Sequence, residues 1–339
     1  MAKVTNSILA WSGLNLSYAG RIEVIKSVLQ GIQGFWLGIL PIPSTVLDRI
    51  TSICRKFLWA GKAARVAWST ACLRKDQGGL GFRHTQKWND ALLTKVLWKL
   101  HANKEALWCR WIHHVYLKHQ SVWAVQPKKD YPGLLKRLLA IRDVLVSKEG
   151  TPHQAVMKLQ SWSTGQALDT AKVYEYLVPR AASKGWTRIV WNPIIPPKFS
   201  VHAWCAIQGR VPTLDRLSFL GIEGQCKLCR RQEESVSHLF FQCCVTSEIW
   251  QTIKSWAGLR RNMSTIPSCL KWLGKECKGK SWRNSFSKRC FVASMYYVWE
   301  CRNRVLFEEY VPDRNYIVHK IKIQVYKVLY ASYPHILTC

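Results

Sequence analysis

The sequence predicts a mainly α-helical protein with a small Cys3His module embedded in it. Three observations carry that expectation. Apolar residues recur at three- and four-residue spacings along most of the 339-residue chain, the period of an amphipathic helix. Proline, glycine and hydroxyl residues punctuate those runs where helices start and stop. Three cysteines and a histidine fall within residues 226–243.

Taken in order, Ser17 stands where it can cap a helix whose face carries Ile22, Ile25, Val28, Leu29 and Ile32. Pro41 and Pro43 break that run. Ser44 stands where it can cap a second helix with a stripe of Leu47, Ile50, Cys54, Phe57 and Leu58, ended by Gly61. A short apolar piece over 66–73 leads into a turn at Gly78, Gly79 and Gly81. Leu92, Leu93, Val96, Leu97 and Leu100 form the next stripe, followed by an aromatic helix with Trp108, Trp111 and Tyr116. Residues 126–165 are more polar and hold Pro127, Pro132, Gly150 and Pro152, so they are expected to be an inter-domain linker with one helix near 134–146.

Beyond 168 a short helix is expected over 172–177. Trp191, Pro193, Pro196 and Pro197 then give a stiff entry to a helix from Lys198. Thr213 is placed to cap the next helix, with Leu214, Leu217 and Leu220 inside and Gly221 at its end. After the Cys/His stretch, helices are expected over 245–256, 284–308 and 314–331. The expected division is a helical region over 1–125, a linker over 126–165, a metal-binding domain over 166–256 and a basic helical tail over 257–339.

Fifty Lys and Arg against 20 Asp and Glu give a formal charge of +30. The excess is spread over both halves, so no single tail explains it. Such a field attracts polyanions, and RNA or DNA is the leading partner. A solvated basic surface without a specific partner is the plainer alternative. Thirteen cysteines follow no secretory signal, and no apolar run is long enough to span a membrane. A reducing intracellular compartment, nuclear or cytoplasmic, is therefore expected, with clustered thiols serving metal rather than disulfides. Cys54, Cys72, Cys109 and Cys205 lie in apolar stretches and read as small core residues. No nucleophile triad or phosphate-binding glycine loop points to a small-molecule substrate.

Cys226-x2-Cys229 places two thiolates on a tight turn, and His238 with Cys243 completes a Cys3His set. Closed structural zinc sites take four such ligands tetrahedrally, leaving no position for water. Cys244 is a rival fourth ligand. On an ideal α-helix residues five apart point roughly 140° apart, so the chain must loosen between His238 and Cys243 for both to reach one ion. A redox Cys-x2-Cys is disfavoured because no helix starts at the pair and the other two ligands would go unexplained.

With those residues in place the chain resembles the C-terminal part of plant non-LTR (LINE-type) retrotransposon reverse transcriptases, and centrally their zinc-binding domain. The resemblance rests on Trp191, Pro197-Lys198, Trp204, Gly209-Arg210-Val211-Pro212-Thr213, Asp215-Arg216-Leu217, Cys226, Cys229, Glu233-Glu234, His238-Leu239-Phe240-Phe241-Gln242-Cys243 and Trp250. In that pattern the fourth ligand follows the histidine after four residues, which favours Cys243. Leu16 to Arg21, Phe57-Leu58-Trp59 and Gly78-Gly79-Leu80-Gly81 resemble the region after the polymerase palm. Trp299-Glu300, Arg302-Asn303 and Phe307 are similar to the usual tail.

A polymerase needs clustered carboxylates to hold its metal ions. The family supplies an Asp-Asp pair that this sequence lacks, so no polymerase activity is expected and the palm is expected to be missing. A nucleic-acid-binding accessory region is the leading expectation, with Lys271, Lys275, Lys278, Lys280, Arg283, Lys288 and Arg289 on phosphates and Trp272 and Trp282 near bases. A structural or protein-interaction module of a decayed retroelement is the alternative.

Overall fold

The computed structural model describes residues 10–11, 13–29, 31, 36–103, 105–165, 167–279, 281–308 and 310–333. It is mainly α-helical, and among the described residues the only strands are a two-residue pair, β1 (Ser163–Thr164) and β2 (Ala167–Leu168), antiparallel with Ser163 opposite Leu168. The chain divides into two compact units. Met1–Asn15, Gly20–Lys62 and Gly81–Ala181 form the first; Leu16–Ala19, Ala63–Leu80 and Ala182–Cys339 form the second.

The longer helices of the first unit are α1 (Ser44–Leu58), α2 (Thr85–Ala102), α3 (Gly133–Glu149), α4 (Pro152–Gln160) and α5 (Thr170–Leu177). Pro43, not the expected Ser44, stands at the N-cap of α1 and no side chain caps it, so Ser44 is already helical; the helix buries the expected Leu47, Ile50, Cys54, Phe57 and Leu58. It ends where Gly61, at φ +73°, turns its N–H back to the carbonyl of Lys56 at 2.8 Å. α2 contributes Leu93, Leu97 and Leu100, which pack with Leu135, Leu138 and Leu139 of α3 and Leu159 of α4. The buried Arg142 of α3 donates to the carbonyls of Val122 and Val125 at 2.8 and 2.6 Å, fastening the preceding loop.

This packing corrects one expectation. The stretch 126–165 is not a linker: it forms α3, α4 and β1, and its leucines lie in the core of the first unit. Its surface polarity marks the outer faces of two amphipathic helices rather than a solvated connection. Of the first expected helix, residues 18–24 are α-helical, while Ile32 and the side chains of Val28 and Leu29 lie outside the described residues. Cys54, Cys109 and Cys205 are buried as expected, and Cys72 is half-buried.

The second unit is built on α9 (Trp282–Phe307), preceded by α6 (Pro197–Ile207), α7 (Cys244–Trp256) and α8 (Ile266–Glu276) and followed by α10 (Arg314–Ser332). α6, α7, α8 and α10 all pack on α9. Residues 290–295 of α9 are consequently buried all round, as in a helix running through a core. α10 buries a single stripe, Ile317, Ile321, Val325 and Leu329, and starts at an Asp313 side chain that accepts from the N–H groups of Asn315 and Tyr316. Gly78 and Gly79 of the glycine turn belong to this unit. A Cβ at Gly79 would lie 2.0 Å from the carbonyl oxygen of Leu73, and the Gly78 carbonyl accepts from Trp204 Nε1 at 2.8 Å. The expected break near 256 falls inside this unit, because α7 on one side of it and α9 and α10 on the other share one core.

Candidate metal centre and basic surface

Between α6 and α7 the chain makes a compact excursion with little regular structure. The Gln225–Glu233 bridge closes a loop in which Cys226 donates its N–H to Gln232 (2.8 Å) and accepts from Arg230 (2.7 Å). Arg230 takes φ +55°, the left-handed conformation that lets the chain reverse after Cys229. The pair Cys226 and Cys229 thus sits on a tight turn, as its spacing predicts.

The second pair uses a different device. Residues His238–Gln242 form a π-helical turn, and the N–H of Cys243 reaches the carbonyl of His238 at 2.7 Å. An i→i+5 bond widens the turn, so residues five apart come onto one side instead of diverging as on an α-helix. Cys243 then leaves in extended geometry (φ −63°, ψ 131°) as the N-cap of α7. The helix was expected to loosen here, and the π-turn is how it does so.

The ligand atoms of Cys226, Cys229, His238 and Cys243 all lie within 4.8 Å of one another. Cys229 Sγ and His238 Nε2 are 3.3 Å apart. Sulfurs around a tetrahedral zinc with Zn–S of about 2.3 Å are spaced by ~3.8 Å, so the cluster fits one such ion. Cys226, His238 and Cys243 are buried and Cys229 is half-buried, so most of the centre is shielded from solvent. Cys244 is exposed and outside the group. The hydrogen bond from the Cys226 thiol draws the Cys243 thiol down to about 5, helped by the N–H groups of Thr246 and Val245 at the start of α7. The same bond, with burial, pushes the Cys226 thiol up. A bound cation would replace that shared proton.

Behind the cluster lies a buried ion pair. Glu234, between the two ligand pairs, is fully buried, and Arg302 of α9 is 2% exposed. Arg302 Nη2 donates to Glu234 Oε1 at 2.6 Å, and its Nε lies 3.1 and 3.0 Å from the two oxygens. Glu234 Oε1 also accepts from the N–H of Leu214 at 2.9 Å. This corrects the expected role of Thr213, which stands at the N-cap but makes no side-chain capping bond; the Glu234 carboxylate supplies that acceptor. The helix it caps is only Leu214–Leu217, with Leu214 buried and Gly221 at φ +69° ending the following turn. The Leu220 side chain lies outside the described residues. Sequence reading places Glu234 and Arg302 in a family pattern but not in each other's reach, since 68 residues separate them.

The basic stretch is only partly a surface. Lys271, Lys275, Lys278 and Arg283 are exposed, and Arg283 lies over the Trp282 ring, 5.4 Å from its centroid. Lys280 lies outside the described residues. Lys288 and Arg289 are buried at 9% and 4% exposure, and Arg289 packs against the ring of Tyr333 at 5.6 Å. Both are withdrawn as phosphate contacts, because α9 has entered the core by its second turn. Trp272 is half-buried, while Trp282 is exposed.

Among the described residues, the Cys3His set is the group of three or more potential ligands brought together, and no helix is long and apolar enough to cross a membrane. Residues 169–250 match the family described as zinc-binding in reverse transcriptase. An Arabidopsis thaliana protein named "putative ribonuclease H protein" is 22% identical over 419 residues, covering 96% of this chain and 67% of the relative. The chain carries a reverse-transcriptase zinc-binding domain and is consistent with a region of a retrotransposon-derived reverse transcriptase.

Proposed function

We propose that this chain is a zinc-dependent, nucleic-acid-binding accessory region of a retrotransposon-type reverse transcriptase. Cys226, Cys229, His238 and Cys243 hold one zinc ion in a closed, structural site. RNA or DNA lies on the basic surface of the second unit, and the chain does no polymerase or nuclease chemistry of its own. Within the second unit, the zinc-binding stretch up to residue 256 and the basic helical region of 257–339 share one core and are proposed to act as one functional body.

The observation that carries this reading is that the unit holding the Cys3His set also carries an exposed cationic stretch with almost no acid in it. Between Glu248 and Glu300 the exposed charges among the described residues are six cations, Arg260, Arg261, Lys271, Lys275, Lys278 and Arg283, against one carboxylate, Glu276. Repeated phosphate contact suits such a surface. The relative's name points instead to a nuclease, which would need carboxylate oxygens around magnesium. Sulfur-rich ligation suits zinc and disfavours magnesium, which supports the non-catalytic reading.

Elemental analysis of the purified chain is expected to find one zinc. Fluorescence anisotropy across a salt series is expected to show sequence-tolerant binding. With about six phosphates neutralised on a duplex, log affinity should fall against log salt with a slope of roughly −5. Absence of binding by zinc-loaded protein at about 50 mM salt, where the electrostatic contribution is large, would reject the reading.

A further inference from the structure

The cationic surface is bordered by aromatic rings gathered from three helices. Trp256, at the end of α7, meets Phe286 of α9 edge-on with centroids 4.7 Å apart, and Tyr326 of α10 at 5.2 Å. One turn from Phe286 stands Trp282, and one turn from Tyr326 stands Tyr330. These outer rings are open to solvent: Trp282 is 39% exposed, Tyr326 54% and Tyr330 61%. Ser285 Oγ and Tyr333 Oη, 3.1 Å apart, tie the start of α9 to the end of α10. Cations lie on the rings, with Arg283 5.4 Å from the Trp282 centroid and Lys322 5.4 Å from that of Trp256. Lys327 is exposed between Tyr326 and Tyr330 in sequence. Residues 314–339 contain no Asp or Glu.

Cations alone attract duplex and single strands alike. Exposed rings add something a duplex cannot use, since its base faces are already stacked. Resting on the nucleic-acid reading above, we propose that this face binds single-stranded nucleic acid, with Trp282, Tyr326 and Tyr330 stacking on bases and Arg283 and Lys327 on the intervening phosphates. Tyr326 is braced before any ligand arrives by its edge-on contact with Trp256, which in turn meets Phe286, so little order is lost when a base stacks on it. The near absence of carboxylates makes the face complementary to a polyanion. Stacking tolerates every base, so the preference is for strandedness rather than sequence.

The test is anisotropy binding of the full, zinc-loaded chain to a labelled mixed-sequence single strand of about 20 nucleotides, a length exceeding one stacking site, and to the matching blunt duplex at the same salt. The single strand is expected to bind more tightly. Trp282→Ala, Tyr326→Ala and Tyr330→Ala should each weaken it by about 5- to 150-fold and leave duplex binding unchanged. Tyr326→Phe and Tyr330→Phe, which keep the ring, should behave as wild type, and Arg283→Gln should weaken both ligands. If both ligands bind but ring removal changes neither, or changes both equally, the stacking proposal fails while the nucleic-acid reading stands. If wild-type protein binds neither, both fall.

Discussion

Cys243 and Cys244 are neighbours in sequence with opposite fates. Cys243 faces the ligand cluster as the N-cap of α7, whereas Cys244 begins the helix and points to solvent. Cys243→Ser should therefore abolish zinc content, and Cys244→Ser should leave it intact; elemental analysis of both variants decides. A second residue-scale prediction concerns Arg302. Arg302→Met leaves the Glu234 carboxylate buried without its cation, a change that costs about 3–5 kcal/mol where only one partner of a buried pair is removed. Adding Glu234→Gln removes the stranded charge yet keeps an acceptor for the Leu214 N–H, so the double variant should be more stable than Arg302→Met alone. Urea denaturation of the wild type, Arg302→Met and the double variant gives the comparison, and a double variant no more stable than Arg302→Met would refute it.

At the scale of elements, the π-turn is the part on which the metal centre depends. Inserting one alanine after Gln242 would set the histidine and the cysteine six apart, beyond what an i→i+5 turn brings to one side. Zinc content should then fall sharply while far-ultraviolet circular dichroism stays near wild type, because the helices that carry most of the signal do not need the metal. Full zinc content in that insertion variant would show the turn to be incidental. The loop over 222–243 holds no helix longer than this turn and is too short to bury a core. Chelation should accordingly open it to protease before either unit unfolds. Much of this scale was legible from sequence: the α1 stripe, the α10 helix and the place where the zinc-site helix loosens all follow from local periodicity, proline positions and ligand spacing. α9 was less legible, because a helix buried on every side loses the one-sided pattern that reveals depth. That is why Lys288 and Arg289 looked like surface residues.

At the scale of the whole molecule, the zinc module shares its core with the C-terminal helices. Removing α10 should expose the Ile317, Ile321, Val325 and Leu329 stripe and the face of α9 it covers. A chain truncated after residue 310 is expected to aggregate or lose cooperative unfolding even when loaded with zinc. A cooperative, soluble truncation would show instead that the basic tail is a separate domain. Primer extension with magnesium is expected to give no product, and product formation would overturn the non-catalytic reading.

The sequence by itself determined the helical class, most helix starts and stops, the four metal-ligand candidates and the basic character of the chain. Those properties follow from residues within a few positions of one another: a cap, a proline, an apolar period, a pair of cysteines on one turn. Only the tertiary structure decided that Glu234 meets Arg302 and that 126–165 packs as core; Cys243, which the resemblance already favoured over Cys244, lies in the cluster while Cys244 is exposed. The tertiary structure also decided which cations reach solvent and which rings stand beside them. Burial depends on what a distant segment lays over a residue, and no local pattern carries that information.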